Sequence, residues 1–287
     1  MNQRKISLAI YRAVKSVLGG YGIGRFYPIR VVHLFVLKRL KSNFATVQGH
    51  KMFLDSKDSL NLFINGIYEK FETELIKKEI KQDDIILDIG ANIGYYTLMF
   101  AKLVGENGKV FAFEPDPTNF ALLKKNVEIN GYKNVVLINK AVSNKTGKLR
   151  LFLCENNKGD HRIYDSKDGR KFIEIESVKL DDYFKNQNDK INFIKMDIQG
   201  AEYGAVKGMC GLLNKNKNVK IISEFWPIGL KRSGVEPIEF LKLLVEHGFK
   251  ISEVNEVKDK IIPIDTPNSL LKEYTIKKEN FTNLLCK

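Results

Sequence analysis

The sequence predicts a doubly wound α/β fold, and three observations point to it. From residue 84 onward, short apolar runs alternate with amphipathic stretches of helical length. The runs IILDI, VFAFE, INFIKMDI and VKIISEF are β-rich on both faces, as expected of strands covered by helices on either side. The first of them, in DIILDIGANIGYYTLMFA (residues 84–101), passes from strand through a glycine turn into a helix, the entrance to a nucleotide site in several unrelated enzyme classes.

Ahead of the sheet, ATVQGHKMFLD reads as a hairpin turning at Gln48-Gly49-His50. SLNLFINGIYE and FETELIKKEI read as helical stretches that end at the polar break Lys81-Gln82-Asp83-Asp84. The sheet region then reads as strand 84–88, helix 94–104, strand 109–114, helix 117–129, and strands 135–139, 147–153, 172–177 and 191–197. Helix 201–213, strand 219–224, helix 236–246 and strand 249–254 follow, with a final strand near 272–277. The stretch 154–171, CENNKGDHRIYDSKDGRK, is the one long polar loop and reads either as a lid or substrate loop or as a disordered excursion.

A chain of 287 residues with 44% apolar and 28% charged side chains is long enough for one large core with an appendage. Cys154, Cys210 and Cys286 are far apart and form no C-x-x-C pair, which argues against a disulfide framework or zinc site and fits a reducing compartment. The net charge of +13 is uneven: ten of the 47 basic residues precede the first acidic one, Asp55. The remaining 37 face all 34 acidic residues, so the rest of the chain carries only about +3.

Three regions are expected: a basic helical extension at 1–45, a hairpin with helices at 46–82, and the sheet domain at 83–287. The extension reads as helices at 4–18 and 30–42, with neither a signal peptide nor a membrane span, because Arg12 and Lys15 interrupt the first and VVHLFVL is too short. It either lies on an anionic membrane surface or docks on the sheet domain with its charges solvated. The location expected is cytoplasmic, at most peripheral at the inner membrane face.

Ligands of such sheets bind outside the carboxyl ends of the strands. Four predicted strands end there in a carboxylate: Asp88, Glu114, Asp197 and Glu224. The dinucleotide fingerprint would need glycine at 92 and 95, where Asn92 and Tyr95 stand, and no Lys-Ser/Thr pair follows Gly94 as a P-loop requires. What remains is D-x-G-x-N-x-G, and an acid before the turn suits a positive group better than a phosphate. S-adenosylmethionine fits, with its ammonium and sulfonium near Asp88 and Asn92, and Glu114 placed to accept the ribose hydroxyls.

These blocks resemble the FkbM-type methyltransferases of the class I S-adenosylmethionine-dependent fold. The resemblance runs from about 47 to 254 through IYEKFET, ILDIGANIGYYTLMFA, VFAFEPDP, LINKAVS, SVKLDDYF, FIKMDIQGAE and IISEF in order. It implies a Rossmann-like sheet of about seven strands whose last, antiparallel strand lies at the edge. It also implies that Asp88, Gly90, Ala91, Asn92 and Gly94 shape the methionine site, that Glu114 with Pro115 and Asp116 borders the ribose and adenine, and that Ala141 and Val142 border the adenine. Glu69, in the IYE block, and Asp197 are included among the cofactor contacts. Gln199 stands where the family commonly carries a glutamate, so a role needing charge there is in doubt.

Methyl transfer to a hydroxyl calls for a base or a metal. Asp197, ending INFIKMD, is the first candidate, with Glu224 and Glu202 as second choices and His161 of the polar loop as a further base. Asp197, Glu202 and Glu224 could hold Mg²⁺, but carboxylates on separate elements are weak grounds and no metal is predicted. Trp226 either contacts a sugar ring or plugs the core rim, while His33, His50 and His247 have ordinary structural explanations.

The leading expectation is an O-methyltransferase acting on a sugar, glycan or related small-molecule metabolite. The alternatives are an RNA methyltransferase, disfavoured by the near-neutral sheet domain, and a non-catalytic cofactor-binding protein at a membrane surface. No nucleic-acid partner is expected, and the oligomeric state is open. The membrane reading predicts that the full chain binds anionic liposomes while a chain starting near residue 45 does not; equal binding in a flotation assay removes it.

Overall fold

The computed structural model describes residues 42–187, 189–275 and 280–287. The expected helix at 4–18, all but the last residue of the one at 30–42, and His33 lie outside the described residues. The chain divides into two compact units, Met1–Tyr68 and Glu69–Lys287.

In the first unit, β1 (Phe44–Val47) and β2 (His50–Phe53) form the expected antiparallel hairpin. Its two-residue turn places Gln48 and Gly49 at φ 48° and 84°, the left-handed pair that matches the twist of the strands. Asp58 then accepts from the Leu62 N–H at 2.9 Å, starting the short helix α1 (Leu62–Asn65).

The second unit opens with α2 (Lys70–Glu79), whose first N–H groups donate to the distant carboxylate of Glu256, Phe71 to Oε2 at 3.1 Å and Glu72 to Oε1 at 2.6 Å. β3 (Ile85–Ile89), α3 (Tyr95–Val104), β4 (Lys109–Phe113), α4 (Pro117–Ile129) and β5 (Val135–Ile138) follow the predicted alternation. α4 starts as its sequence dictates, with Pro117 in the first turn and Asp116 capping the Asn119 N–H at 3.1 Å.

β6 (Ala141–Val142), β7 (Gly147–Phe152) and β8 (Phe172–Val178) leave the main sheet and form a three-stranded one in the order β6-β8-β7. α5 (Leu180–Tyr183), β9 (Phe193–Met196), α6 (Glu202–Lys207), α7 (Cys210–Lys215) and β10 (Lys220–Phe225) return to the main sheet. The single helix expected over 201–213 is therefore two. The chain bends at Gly208, which packs so tightly on the Ser143 carbonyl that a Cβ would come within 2.1 Å of its oxygen.

α8 (Pro227–Arg232), α9 (Pro237–Glu246), β11 (Ile251–Asn255), β12 (Lys260–Pro263), α10 (Pro267–Glu273) and β13 (Thr282–Cys286) complete the unit. The main sheet has eight strands in the order β12-β11-β13-β10-β9-β3-β4-β5. β3, β4, β5, β9 and β10 run parallel, and β13 is antiparallel to both its neighbours.

Two expectations are corrected here. The last strand is at 282–286; of the stretch expected to be extended, 272–277, α10 takes the first two residues and 276–277 lie outside the described residues. That strand also lies inside the sheet between β10 and β11, and all five of its residues are buried; the edge belongs to β12.

Alternation along β9 sorts its side chains between the two faces. Ile194 and Met196 join the large core with Phe225, Phe240 and Leu284. On the other face Phe193 meets Phe100 of α3, with ring centroids 6.0 Å apart, and Lys195 meets Glu72 of α2. No helix among the described residues is long and apolar enough to cross a membrane.

Phe240 is fully buried and stacked on Phe225 at 6.4 Å. Phe240→Ala should cost about 3–5 kcal/mol, seen as a lower urea midpoint with an unchanged slope.

Candidate active site

The crossover from β3 to β4 on one side and β9 on the other opens a crevice at the carboxyl ends of the strands, where such sheets bind ligands. The turn after β3 is built for close approach. Gly90 (φ 84°), Asn92 (φ 50°) and Gly94 (φ 95°) all adopt left-handed backbone. A Cβ on Gly90 would stand 2.1 Å from the Asp197 carbonyl oxygen, so no larger residue fits. Gly90 and Ala91 both donate to the Phe113 carbonyl, at 3.0 and 2.9 Å, which ties the turn to the end of β4.

Glu114 is held rigidly beside that turn. Its Oε2 accepts from the Asn92 N–H at 2.8 Å and its Oε1 from the Asp116 N–H at 2.9 Å, while Asn139 clamps the Glu114 and Pro115 carbonyls. Burial pushes the Glu114 carboxyl up to about 8 against the pull of these donors. Asp88 accepts from the Thr97 hydroxyl at 2.5 Å, and burial raises it to about 6. Ala141 and Val142 are buried in β6, two and three residues beyond Asn139.

This donor set fits S-adenosylmethionine. Asp88, Glu114 and Asp116 offer acceptors to hydroxyls and positive groups, and the left-handed turn lets a ligand lie against bare backbone. A phosphate would meet carboxylates here.

A second cluster occupies the ends of β9 and β10. Asp197, Gln199 and Glu224 meet, the Gln199 amide nitrogen lying 2.7 Å from Asp197 Oδ1 and 3.3 and 3.2 Å from Glu224 Oε1 and Oε2. Burial, then the charges of Asp197 and Glu202, holds Glu224 well above the usual carboxylate range. Glu69 joins this group: burial and then Glu72 raise its carboxyl, which accepts from Tyr96 at 3.2 Å and Asn283 at 3.3 Å.

Lys195 is the buried cation among these acids. Its ammonium lies 3.2 Å from Glu72 Oε1 and 5.2 Å from the Tyr96 ring centre. Burial would lower it, but Glu72, Asp197 and Glu69 hold it charged, well above the usual lysine range.

The polar loop at 154–171 is tied down at both clusters. Cys154 N–H donates to His161 Nδ1 at 2.9 Å, which leaves the ring proton on Nε2, 3.6 Å from Asp116 Oδ2. Asn119 donates to the Lys158 carbonyl at 2.9 Å. At the other end the Tyr164 hydroxyl donates to the Gln199 carbonyl at 2.8 Å. Between them Arg162 is buried, paired with Asp160 at 2.7 Å and lying 4.7 Å from the Trp226 ring centre.

The structure thus brings together Asp88, Gly90, Ala91, Asn92, Gly94, Glu114, Pro115 and Asp116 around the turn, and Asp197 with Glu224 and Glu69 beyond it. His161 lies on the cofactor side, its Nδ1 accepting from the Cys154 N–H and its Nε2 facing Asp116 at 3.6 Å without a hydrogen bond. Glu202 folds back: its Oε1 accepts from the Ile198 and Gly200 N–H groups at 3.1 and 3.2 Å, closing the turn before α6. Trp226 is packed by the protein itself, with Arg162 over the ring and a Gly229 backbone so close that a Cβ would come to 2.1 Å.

Sequence reasoning missed Lys195 and Tyr164. A lysine inside the otherwise apolar FIKM was a visible signal for the first; nothing local marked the second. Among the described residues no three His, Cys, Asp or Glu side chains are grouped as a metal ion requires.

The eight-stranded α/β sheet and the acid-glycine crevice define a class I S-adenosylmethionine-dependent methyltransferase. The chain belongs to the FkbM methyltransferase family, whose description, Methyltransferase FkbM domain, matches residues 88–251. Hexuronic acid methyltransferase AglP of Haloferax volcanii is 27% identical over 194 residues, covering 66% of this chain and 73% of that one. Methyltransferase sdnD of Sordaria araneosa is 26% identical over 228 residues, covering 64% and 84%. A solved methyltransferase FkbM from Methylobacillus flagellatus KT superposes with a TM-score of 0.44 at 17% identity, covering 72% of this chain and 44% of that one.

These acids give the stability a defined pH dependence. Asp88, Glu202 and Glu114 rise from 3.8, 4.5 and 4.5 to about 6, 7 and 8 on folding. The folded chain therefore binds more protons than the unfolded one between these values, and stability falls as pH rises through that window. Among the described residues the carboxylates with lowered values, Asp116, Glu79, Asp168 and Glu176, act below it, and only His247, lowered by burial, opposes it near the histidine range. Without cofactor, the thermal midpoint should be higher near about pH 5 than near about pH 8, and Glu114→Gln should flatten the upper part of the slope in a melting series.

Proposed function

We propose that this chain O-methylates a hydroxyl of a sugar, glycan or related hydroxylated metabolite, with Asp197 as the general base. The observation that carries the reading is the Asp197–Gln199–Glu224 group at the ends of two adjacent strands, beside the turn that would hold the methyl donor. The name of the Haloferax volcanii relative, a hexuronic acid methyltransferase, supports a sugar as acceptor.

Bound in the cradle, S-adenosylmethionine supplies an electrophilic methyl group. Asp88 and the left-handed turn would hold its methionine part, and Glu114 would accept from its ribose hydroxyls. A sugar hydroxyl is a weak nucleophile until its proton is removed, and Asp197 takes that proton. Asp197 is half-buried, so it keeps access to the crevice while Gln199 fixes its orientation. Positioning supplies much of the remaining acceleration, because the methyl donor is already activated.

His161 is assigned a different part. Its hydrogen-bonding nitrogens face Cys154 and Asp116, so it anchors the 154–171 loop beside the adenine side. Glu202 shapes the turn that presents Asp197.

Asp197→Asn should lower turnover by about 10²–10⁴-fold while calorimetric affinity for S-adenosylmethionine stays near that of the native chain. The acceptor is found by transfer of a labelled methyl group into fractionated cell extract. Label in the carbohydrate or small-metabolite fraction agrees with the reading, and label confined to RNA or protein overturns it.

A further inference from the structure

Gln199 is more constrained than a turn residue needs to be. Its backbone is left-handed at φ 57°, a conformation that a residue with a Cβ adopts only when its surroundings hold it there. The next residue, Gly200, is at φ 95°, and a Cβ there would come within 2.7 Å of the Tyr164 hydroxyl and 2.5 Å of the Gly229 carbonyl carbon. The Tyr164 hydroxyl closes the arrangement by donating to the Gln199 carbonyl at 2.8 Å.

The side chain held this way points its amide nitrogen at two acids, 2.7 Å from Asp197 and 3.2 Å from Glu224. A primary amide carries two hydrogens, enough for one to each carboxylate. A carboxylate at 199 would have none to give, and three adjacent acids would have to share protons.

We propose that Gln199 is the positioning residue that allows Asp197 and Glu224 to stand side by side, its amide donating to both, and that Tyr164 of the polar loop holds the strained backbone from which that amide is aimed. The inference rests on Asp197 as the base, and it gives the loop a task at the acceptor side in addition to its anchor at Asp116. The other charged groups facing the pair are Glu69 at the start of α2, Glu72 of α2, Asp88 of β3, Lys195 of β9 and Glu202 of α6. Arg162 and Asp160 face Tyr164 from its own loop.

The test reads the two acids directly and needs no acceptor. Full-length protein labelled with ¹³C at the Asp and Glu carboxyl carbons is titrated by NMR, with the two resonances identified through Asp197→Asn and Glu224→Gln. Both resonances are followed over the whole pH range and read together, as neighbouring acids must be. In Gln199→Leu, which keeps the bulk and loses both hydrogens, the lower midpoint should move up by about one pH unit. Tyr164→Phe, which keeps the ring, should move it the same way by less, and the double variant should match Gln199→Leu alone.

An unchanged titration in Gln199→Leu, or a Tyr164→Phe shift that adds in full to it, overturns the proposal. If Gln199→Leu does not fold, Tyr164→Phe decides alone, its unshifted titration being the contrary result. Retained turnover in Asp197→Asn would instead remove the base while leaving a shifted titration, so the two readings fail separately.

Discussion

The buried ammonium of Lys195 is the interaction on which this site depends. Glu69, Glu72, Asp88 and Asp197 all lie within its influence, and Glu72 is fully buried with one carboxylate oxygen lacking a hydrogen-bond partner. Burying one acid is costly, and burying several without a cation forces them to take up protons. The lysine is there because β9 alternates: the face that carries Phe193 against Phe100 also carries Lys195 and then Asp197. One strand thus delivers both the charge that offsets the acids and the acid proposed to do the chemistry.

Around that centre the two halves of the crevice differ in how they are held. The cofactor side is backbone: left-handed turns, carbonyls of β4, and a glutamate fixed by two peptide N–H groups. The side proposed to receive the acceptor is side chain, with carboxylates, an amide and a tyrosine hydroxyl. Once its glycines are kept, backbone geometry is indifferent to most other substitutions and suits a ligand common to a family. Side-chain geometry changes with single residues and suits an acceptor that differs from one member to the next.

The strand-turn-helix around Asp88 was legible because its spacing excluded other cofactors position by position. The strand-end carboxylates were legible for a related reason, since an acid closing an apolar run marks the edge of a buried sheet. What escaped was how the turns close on themselves and whatever depended on contacts distant in sequence. Glu202 was a second choice for catalysis with an ordinary helix-start explanation beside it, and its Oε1 accepts from the N–H groups of the turn just before it. For Trp226 a sugar contact and a plug at the core rim were equally open, and Arg162, 64 positions earlier, lies over its half-buried ring. The last strand was misplaced because the stretch around EYTI alternates as an edge strand should, whereas TNLLC is buried along its whole length between two neighbours.

That inserted strand has a consequence for how the molecule is assembled. β13 pairs with β10 on one side and β11 on the other, yet 26 residues (256–281) separate it from the end of β11 and 56 (226–281) from the end of β10. Until it arrives, β10 and β11 present facing edges with unpaired N–H and C=O groups. Those edges can take up the wrong strand, so the interval before β13 docks is the vulnerable stage of folding.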